Sequence, residues 1–242
     1  ICSDPNVWPE QLRSALVNQT KTKSVAPFHG GTIGYVGYNA GAHVCPVPRH
    51  HPTLEPDVWI GEYEGGACFR HSDQTWHLTG SKSFIDRATV VLSETSPNIT
   101  RKNHKPTALR TTAREDYIAA VSRIQELIRT GDCYQINLTR PVTLTFQSTL
   151  NPVSLYETLR LESAPQYGAI LRIAPELSIL CNSPELLLEA KGNFVKSDPI
   201  KGTRPRGATV AEDALLAKAL HESPKDAAEL AMIVDLIRND LG

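Results

Sequence analysis

The chain is organised around residues 183–207, SPELLLEAKGNFVKSDPIKGTRPRG. Two predicted strands, at 186–189 and 194–195, flank a turn that contains glycine, and this pattern predicts a β-hairpin. The hairpin would place Glu185, before its first strand, near Lys201, after its second strand, because the ends of antiparallel neighbours meet. A carboxylate close to a lysine serves as a general acid or base, or forms a simple ion pair.

Lys201 follows this predicted hairpin directly, on a turn bounded by glycine and proline. An apolar wall beside such a turn would desolvate the ammonium group and favour the neutral amine, which is a nucleophile. A basic surface loop has a similar composition, since lysine, arginine and glycine are ordinary loop residues. The neighbouring motifs decide between these interpretations, and they favour a chemical role for Lys201.

The composition is that of a globular protein, with 40% hydrophobic and 21% charged residues among 242. The 25 basic and 26 acidic side chains nearly cancel, so no overall field attracts nucleic acid or anionic lipid. The five cysteines have no CxxC spacing, which argues against a disulfide framework and against a structural zinc. No apolar run reaches the roughly 18 residues of a membrane span. The sequence therefore predicts a cytoplasmic protein without a nucleic-acid or membrane partner.

The order of the patterns predicts an α+β chain in two parts, and the first part covers residues 1–110. It starts with a helical segment within 1–24 and continues with a glycine-dense strand at 28–38. The β-rich runs between 58 and 92 indicate an antiparallel sheet. The polar segment 94–112 has no periodicity and is typical of a surface connector.

The second part covers residues 111–242 and alternates helices with strands. Thr112 and Glu115 match a capping box, which predicts a helix that ends at Gly131. The alternation of residues 133–139 predicts a strand directly after that helix. Further helical and strand patterns follow at 153–161, 165–171 and 177–180.

One face of the predicted strand at 133–139 is polar but uncharged. It would carry Gln135, Asn137 and Thr139. Such a face is either an exposed sheet surface or the lining of a polar ligand pocket, and the pattern leaves both interpretations open.

The last predicted helix begins at Ser223, the N-cap, with Pro224 at its first position. Glu229 shares a stripe of this helix with the apolar Met232 and Ile233. A carboxylate on an apolar stripe needs a cation, because burying its charge alone costs several kcal/mol. A salt bridge or a Mg²⁺ ion would satisfy Glu229 equally well.

Four motifs, in this order along the chain, resemble those of the chorismate-utilising enzymes. This family comprises anthranilate synthase component I, aminodeoxychorismate synthase component I, and the isochorismate and salicylate synthases. The resemblance covers residues 27–242, more weakly in the N-terminal third, and implies a layered α/β/β/α sandwich with mainly antiparallel sheets, here truncated. The motifs are GDCYQINL at 131–138, Ser183-Pro184-Glu185, PIKGT at 199–203, and ELAMIVDLIRNDLG at 229–242.

Within the family, the chain looks most like the aminodeoxychorismate synthase component I branch. Water-using members carry a lysine base where this chain has Gln135, and anthranilate synthases usually have alanine where it has Lys201. Residues 164–169, APQYGA, also differ from the NPSPYM pattern of tryptophan-regulated members. The resemblance implies amination of chorismate at C4 to 4-amino-4-deoxychorismate, in 4-aminobenzoate and folate biosynthesis. The alternatives are anthranilate synthase component I and a non-catalytic module in which Lys201, Arg204 and Arg206 clamp an anion.

The resemblance also implies roles for single residues. Lys201 would attack C2 of chorismate, and Glu185 would protonate the hydroxyl that leaves C4. The implied substrate-binding residues are Gly202, Thr203 and Gln135. Ammonia would come from a glutamine amidotransferase subunit or domain, because this sequence shows no Cys-His-Glu site of its own.

Glu229 would be one protein contact of a Mg²⁺ ion that holds the ring carboxylate of chorismate. The family's other Mg²⁺-binding groups would lie after Gly242. The chain opens on Ile1 rather than methionine, and it stops directly after a strongly patterned helix. We therefore expect an internal fragment of a longer protein that is inactive by itself.

Overall fold

The computed structural model describes residues 10, 27–43, 45, 55–94 and 105–242. The chain forms two compact units, residues 1–99 with 170–179 and residues 100–169 with 180–242. The predicted helix within 1–24 lies outside the described residues, apart from Glu10. The predicted domain boundary between residues 110 and 111 stays a prediction. Among the described helices, none is both long and apolar enough to cross a membrane.

The first unit contains two antiparallel strand pairs and a helix. Strand β1 pairs with β2, and β3 pairs with β4. The antiparallel sheet predicted in this region is thus confirmed as two separate two-stranded sheets. The elements are β1 (Gly31–Val36), a 3₁₀ helix (Tyr38–His43), β2 (Val58–Tyr63), β3 (Gly65–Arg70), β4 (Thr75–Gly80) and α1 (Lys82–Ser93).

Glycine allows the close approach of β1 to β2, as its sequence predicts. A Cβ atom on Gly34 would overlap the carbonyl oxygen of Trp59 in the neighbouring strand. Val58 and Trp59 are buried, as is Ala40 in the 3₁₀ helix. The Tyr35 hydroxyl donates a hydrogen bond to the Pro56 carbonyl at 2.6 Å, next to the start of β2. This contact and the buried side chains hold the pair together.

The β pattern does not continue beyond β4, and the prediction of sheet structure up to residue 92 is wrong there. Ser81 is the N-cap of α1, and its hydroxyl accepts a hydrogen bond from the Phe84 amide at 3.1 Å. This cap satisfies a free amide of the first turn and starts a helix, although the helix carries β-branched residues. The predicted connector at 94–112 is also partly wrong, because Ala108–Thr111 forms a strand.

Residues 170–179 belong to the first unit, whereas the second unit carries most of the remaining elements. They are β5 (Ala108–Thr111), α2 (Arg114–Thr130), β6 (Val142–Thr145), α3 (Pro152–Ser163), β9 (Leu186–Lys191), β10 (Phe194–Asp198), α4 (Val210–His221) and α5 (Pro224–Leu241). Strand β5 pairs with β6, and β9 pairs with β10, both antiparallel. Strands β7 (Tyr167–Ala174) and β8 (Leu177–Ser183) pair with each other. Elements α3, β7 and β8 confirm the patterns predicted from residue 153 to residue 180.

Helix α2 is confirmed, but its predicted capping box is wrong. The N-cap is Ala113, which makes no side-chain capping bond, so Thr112 stays outside the helix. The C-terminal prediction holds, because Gly131 adopts φ 83° and ends the helix in the left-handed region.

The strand predicted at residues 133–139 is not formed. This segment has no regular secondary structure, and the next strand is β6, which takes β5 as its partner. A strand is stable only where a neighbour accepts and donates its backbone hydrogen bonds, and no described strand pairs with 133–139. An alternating sequence alone cannot supply that neighbour.

The hairpin that carries the central sequence is confirmed. Phe194 lies opposite Lys191 across a turn in which Gly192 adopts φ 61°, and Asp198 lies opposite Leu186. The open end of the hairpin thus holds the residue before β9 and the residues after β10.

Helix α4 is an element that the sequence analysis did not predict. Thr209 is its N-cap and accepts a hydrogen bond from the Glu212 amide at 3.2 Å, so a Thr-x-x-Glu signal was present. The loop before α4 is bound to its first turn. Arg206 donates two hydrogen bonds to Asp213, at 2.7 and 2.6 Å, and the Gly207 amide donates a third at 2.9 Å.

We expect Gly34→Ala to destabilise the protein by about 1–3 kcal/mol, because the added methyl group overlaps the carbonyl of the paired strand. Gly41→Ala is the matched control, since a Cβ atom there meets nothing within 4 Å. Urea unfolding measures both variants. Equal stability of the two would contradict the close strand approach.

Hydrogen bonds from the Arg206 guanidinium and from the Gly207 amide lower the pKa of Asp213 from 3.8 to about 2. Because the folded-state pKa lies below the unfolded one, this stabilisation is present above about pH 4 and lost as the pH falls towards 2. Asp213→Asn should therefore lower the melting temperature at pH 6 and have little effect near pH 2. Asp86→Asn, which removes an exposed pair with Lys82, controls for the loss of a surface charge.

Candidate functional site

The open end of the β9–β10 hairpin brings Glu185 to the segment that carries Lys201. The Ile200 amide donates a hydrogen bond to Glu185 Oε1 at 2.9 Å. Glu185 is itself held by Ser183, whose hydroxyl accepts from the Glu185 amide at 3.2 Å and donates to the Glu185 carbonyl at 3.1 Å. The Ser-Pro-Glu turn thus directs this carboxylate across the hairpin end, as the sequence predicts.

Lys201 is half-buried, and its amine makes no hydrogen bond or ion pair with any other described residue. The next residue, Gly202, adopts φ 74°, which favours glycine. A Cβ atom on Gly202 would lie 2.8 Å from Cβ of Asp226 and 2.9 Å from Cδ1 of Leu220. The turn therefore packs closely against the junction of α4 and α5.

The two arginines that follow Lys201 are both engaged with aspartates. Arg204 Nη2 donates to Asp226 Oδ2 at 2.7 Å, and its Nη1 donates to the Thr203 carbonyl at 2.9 Å. Arg206 pairs with Asp213 through two hydrogen bonds. An anion clamp needs guanidinium groups that are available to a ligand, so these pairs weaken the clamp hypothesis.

Asp213 and Asp226 are residues that the sequence analysis missed in connection with Lys201. Each lies in the first turn of a helix, where an acidic residue is common. Only the fold shows that each forms an ion pair with an arginine of the loop that follows Lys201. Hydrogen bonds from Ser223 and Arg204 lower the pKa of Asp226, so its carboxylate stays charged.

Glu229 lies three residues after Asp226, which places both on one face of α5. Its Oε1 lies 3.8 Å from Nζ of Lys225, one turn earlier. A pair at that distance, with a glutamate side chain 38% exposed, contributes little stability. Glu229 thus has a cation nearby, and it shares a face of α5 with Asp226, which contacts the Lys201 turn.

The described residues contain no group of three or more His, Cys, Asp or Glu side chains that could hold a metal ion. Mg²⁺ is usually bound by one or two carboxylates together with water and substrate oxygens. A single glutamate, accessible on a helix face, fits this preference as one ligand.

Gln135 and Thr203 lie outside regular secondary structure. Gln135 is half-buried on the irregular segment after α2, and no hydrogen bond joins it to Glu185 or Lys201. Thr203 is exposed, and its carbonyl is bound by Arg204. The structure therefore brings together Glu185, Lys201 and Gly202, with Thr203 beside them.

Comparison with known proteins identifies the relatives of this chain. A family model described as chorismate binding enzyme matches residues 2–242. The aminodeoxychorismate synthase component 1 of Bacillus subtilis (strain 168) is 33% identical over 242 residues, covering 93% of this chain and 50% of that protein. The anthranilate synthase component 1 of Lactococcus lactis subsp. lactis (strain IL1403) is 31% identical over 261 residues, covering 100% and 56%.

A solved structure supports the same relationship. The crystal structure of anthranilate synthase component I from Streptococcus pneumoniae TIGR4 matches with a TM-score of 0.80 and 25% identity, over 97% of this chain and 55% of that one. This confirms the predicted α+β fold of chorismate-binding enzymes. The two branches match at nearly equal identity, so the comparisons establish the family and leave the branch open.

The chain spans about half the length of the curated relatives it matches. The family match over residues 2–242 includes the Ser-Pro-Glu turn and the Lys201 segment. Matched over residues 2–242 and similar in fold to a solved family member, the chain belongs to the family of chorismate binding enzymes.

Proposed function

We propose that this protein acts as component I of aminodeoxychorismate synthase and aminates chorismate at C4. The observation that carries the proposal is the hydrogen bond from the Ile200 amide to Glu185 Oε1 at 2.9 Å. It holds an acid group beside Lys201, whose amine is not engaged by any described side chain. An acid and a nucleophile at one hairpin end suit the replacement of a hydroxyl by an amine.

The first half of the reaction uses both residues. The neutral amine of Lys201 forms a bond to C2 of chorismate, the two conjugated ring double bonds each move by one position, and the C4–oxygen bond breaks. Glu185, as a carboxylic acid, gives its proton to the departing oxygen, which leaves as water. A hydroxyl is a poor leaving group without that proton, so a positioned acid accelerates this step.

The second half restores the enzyme. Ammonia adds at C4, both ring double bonds shift back, and the bond between C2 and the Lys201 nitrogen breaks with its electron pair returning to nitrogen. The carboxylate of Glu185 takes up the proton that the new ammonium group loses. The net change is chorismate plus ammonia to 4-amino-4-deoxychorismate plus water.

The remaining predicted residues have supporting roles in this proposal. Gly202 lets the backbone turn sharply behind the nucleophile, and Thr203 offers an exposed side chain to the substrate. Gln135 replaces the lysine base of the water-using members, which favours ammonia as the second substrate. Gly202, Thr203 and Gln135 stay predicted substrate contacts.

Mg²⁺, when bound, would neutralise a carboxylate of chorismate, and Glu229 is the described residue that would hold it. A glutamine amidotransferase subunit or domain would supply ammonia. The relatives are named as component 1, which is consistent with a second component.

Anthranilate synthesis is the second candidate function. It is favoured by the TM-score of 0.80 with the anthranilate synthase component I of Streptococcus pneumoniae TIGR4. The presence of Lys201, where anthranilate synthases usually have alanine, argues for the first candidate. The reaction product distinguishes the two.

The complete gene product, incubated with chorismate, Mg²⁺ and an ammonium salt, should form aminodeoxychorismate, identified by chromatography and mass. Lys201→Ala should lower amination by at least roughly 10³-fold and leave chorismate binding largely intact. Lys196→Ala, a lysine on β10 that pairs with Asp198, is the matched control and should stay active. Anthranilate as the product would assign the other branch, and loss of chorismate binding alone would support the anion clamp.

Glu229→Gln should raise the Mg²⁺ concentration needed for half-maximal amination by roughly tenfold or more, because one anionic ligand is lost. Activity titrated with Mg²⁺ measures the effect. Asp235→Asn, which removes an exposed acid on the same helix, should leave the Mg²⁺ requirement unchanged. An unchanged requirement in Glu229→Gln would remove Glu229 from the metal site.

A further inference from the structure

The turn that presents Lys201 contacts an acidic side chain on each side. On the earlier side, the Ile200 amide is bound to Glu185. On the later side, Gly202 packs so closely against Asp226 that a Cβ atom would lie 2.8 Å from that side chain. Lys201 thus lies between two fixed backbone positions.

Arg204 connects the later side of the turn to α5. Its guanidinium donates both to the Thr203 carbonyl, at 2.9 Å, and to Asp226 Oδ2, at 2.7 Å. The side chains of Arg204 and Asp226 are 32% and 13% exposed, so solvent screens this pair less than a surface pair. A charge-assisted bond of this kind holds the loop backbone and the helix in one arrangement.

Asp226 is also anchored at its own position. Its amide donates to the Ser223 hydroxyl at 3.4 Å, within the N-terminal cap of α5. The positive end of the helix dipole favours a negative charge in this first turn. Asp226 therefore attaches the loop to the capped first turn of α5.

We propose that Arg204 and Asp226 are positioning residues, whose ion pair fixes the Lys201 turn against α5 and sets the location of the nucleophile. This inference rests on the proposed function for its catalytic consequence. Helix α5 also carries Glu229, three residues beyond Asp226. The pair would thus keep the distance between Lys201 and Glu229 constant. A misplacement of a reacting group by about 1 Å can lower the rate roughly 10²-fold.

The same loop contains a natural comparison. Arg206 and Asp213 also form an ion pair between the loop and the first turn of a helix, at 2.6 Å. This pair lies farther along the chain from Lys201, and its arginine side chain is 88% exposed. We therefore infer that the Arg206–Asp213 pair stabilises the loop and does not position Lys201.

Asp226→Asn and Asp213→Asn therefore form a matched set, since each removes one charge from a helix's first turn. In the complete gene product, Asp226→Asn should lower kcat for amination roughly 10- to 100-fold and change the KM for chorismate less than about twofold. Asp213→Asn should change kcat less than about twofold. Asp226→Glu, which restores the charge, should recover part of the loss.

Hydrogen exchange of the peptide 199–205 supplies a readout that needs no activity. It should become faster in Asp226→Asn and stay unchanged in Asp213→Asn. If Asp226→Asn does not fold, Arg204→Gln removes the same pair from the loop side and should give the same result. Equal kcat losses in the two aspartate variants, or unchanged kcat and exchange in Asp226→Asn, would overturn the positioning role.

The two proposals fail separately. Amination that persists in Lys201→Ala would refute the nucleophile of the proposed function, whereas the exchange rates would still report on the turn. Amination that depends on Lys201 but not on Asp226 would refute the positioning role and leave the proposed function intact.

Discussion

The hydrogen bond between the Ile200 amide and the Glu185 carboxylate is the contact on which the candidate site depends. It closes the open end of the β9–β10 hairpin and joins two motifs that are separated by a strand, a turn and a second strand. Because the hairpin register places Leu186 opposite Asp198, the residues just outside both strands must meet. The chemistry proposed for Glu185 and Lys201 is therefore a consequence of strand register, and a slip of one residue would reverse the direction of every side chain.

The charges around this contact are arranged in pairs, with one exception. Arg204 and Arg206 are each bound to an aspartate at the start of a helix, so they hold the loop in place instead of meeting a ligand. Lys201 alone among the loop's cations has no described partner. Because the backbone on both sides of Lys201 is held by contacts, placing its amine against a bound substrate costs little entropy. The difference between the paired arginines and the unpaired Lys201 favours a nucleophilic role for Lys201 over an anion clamp.

Several elements were predictable because their signals are local. The glycine-containing hairpin, the Ser223 cap of α5 and the glycine strand β1 each depend on residues close in sequence, and all three are present. The errors have equally physical causes. At 82–93 the Ser81 cap starts a helix although the segment contains β-branched residues. At 133–139 no described strand pairs with the alternating segment, so no strand forms there. Local propensity is a weak determinant wherever capping or pairing competes with it.

The sequence by itself determined the family, the hairpin and the meeting of Glu185 with the Lys201 segment, because motif order and hairpin register are properties of one continuous stretch. Only the tertiary structure decided which carboxylates hold the arginines and that Gly202 packs against Asp226. The Arg204–Asp226 and Gly202–Asp226 contacts join residues more than twenty positions apart, and they depend on how the loop and helix α5 pack together.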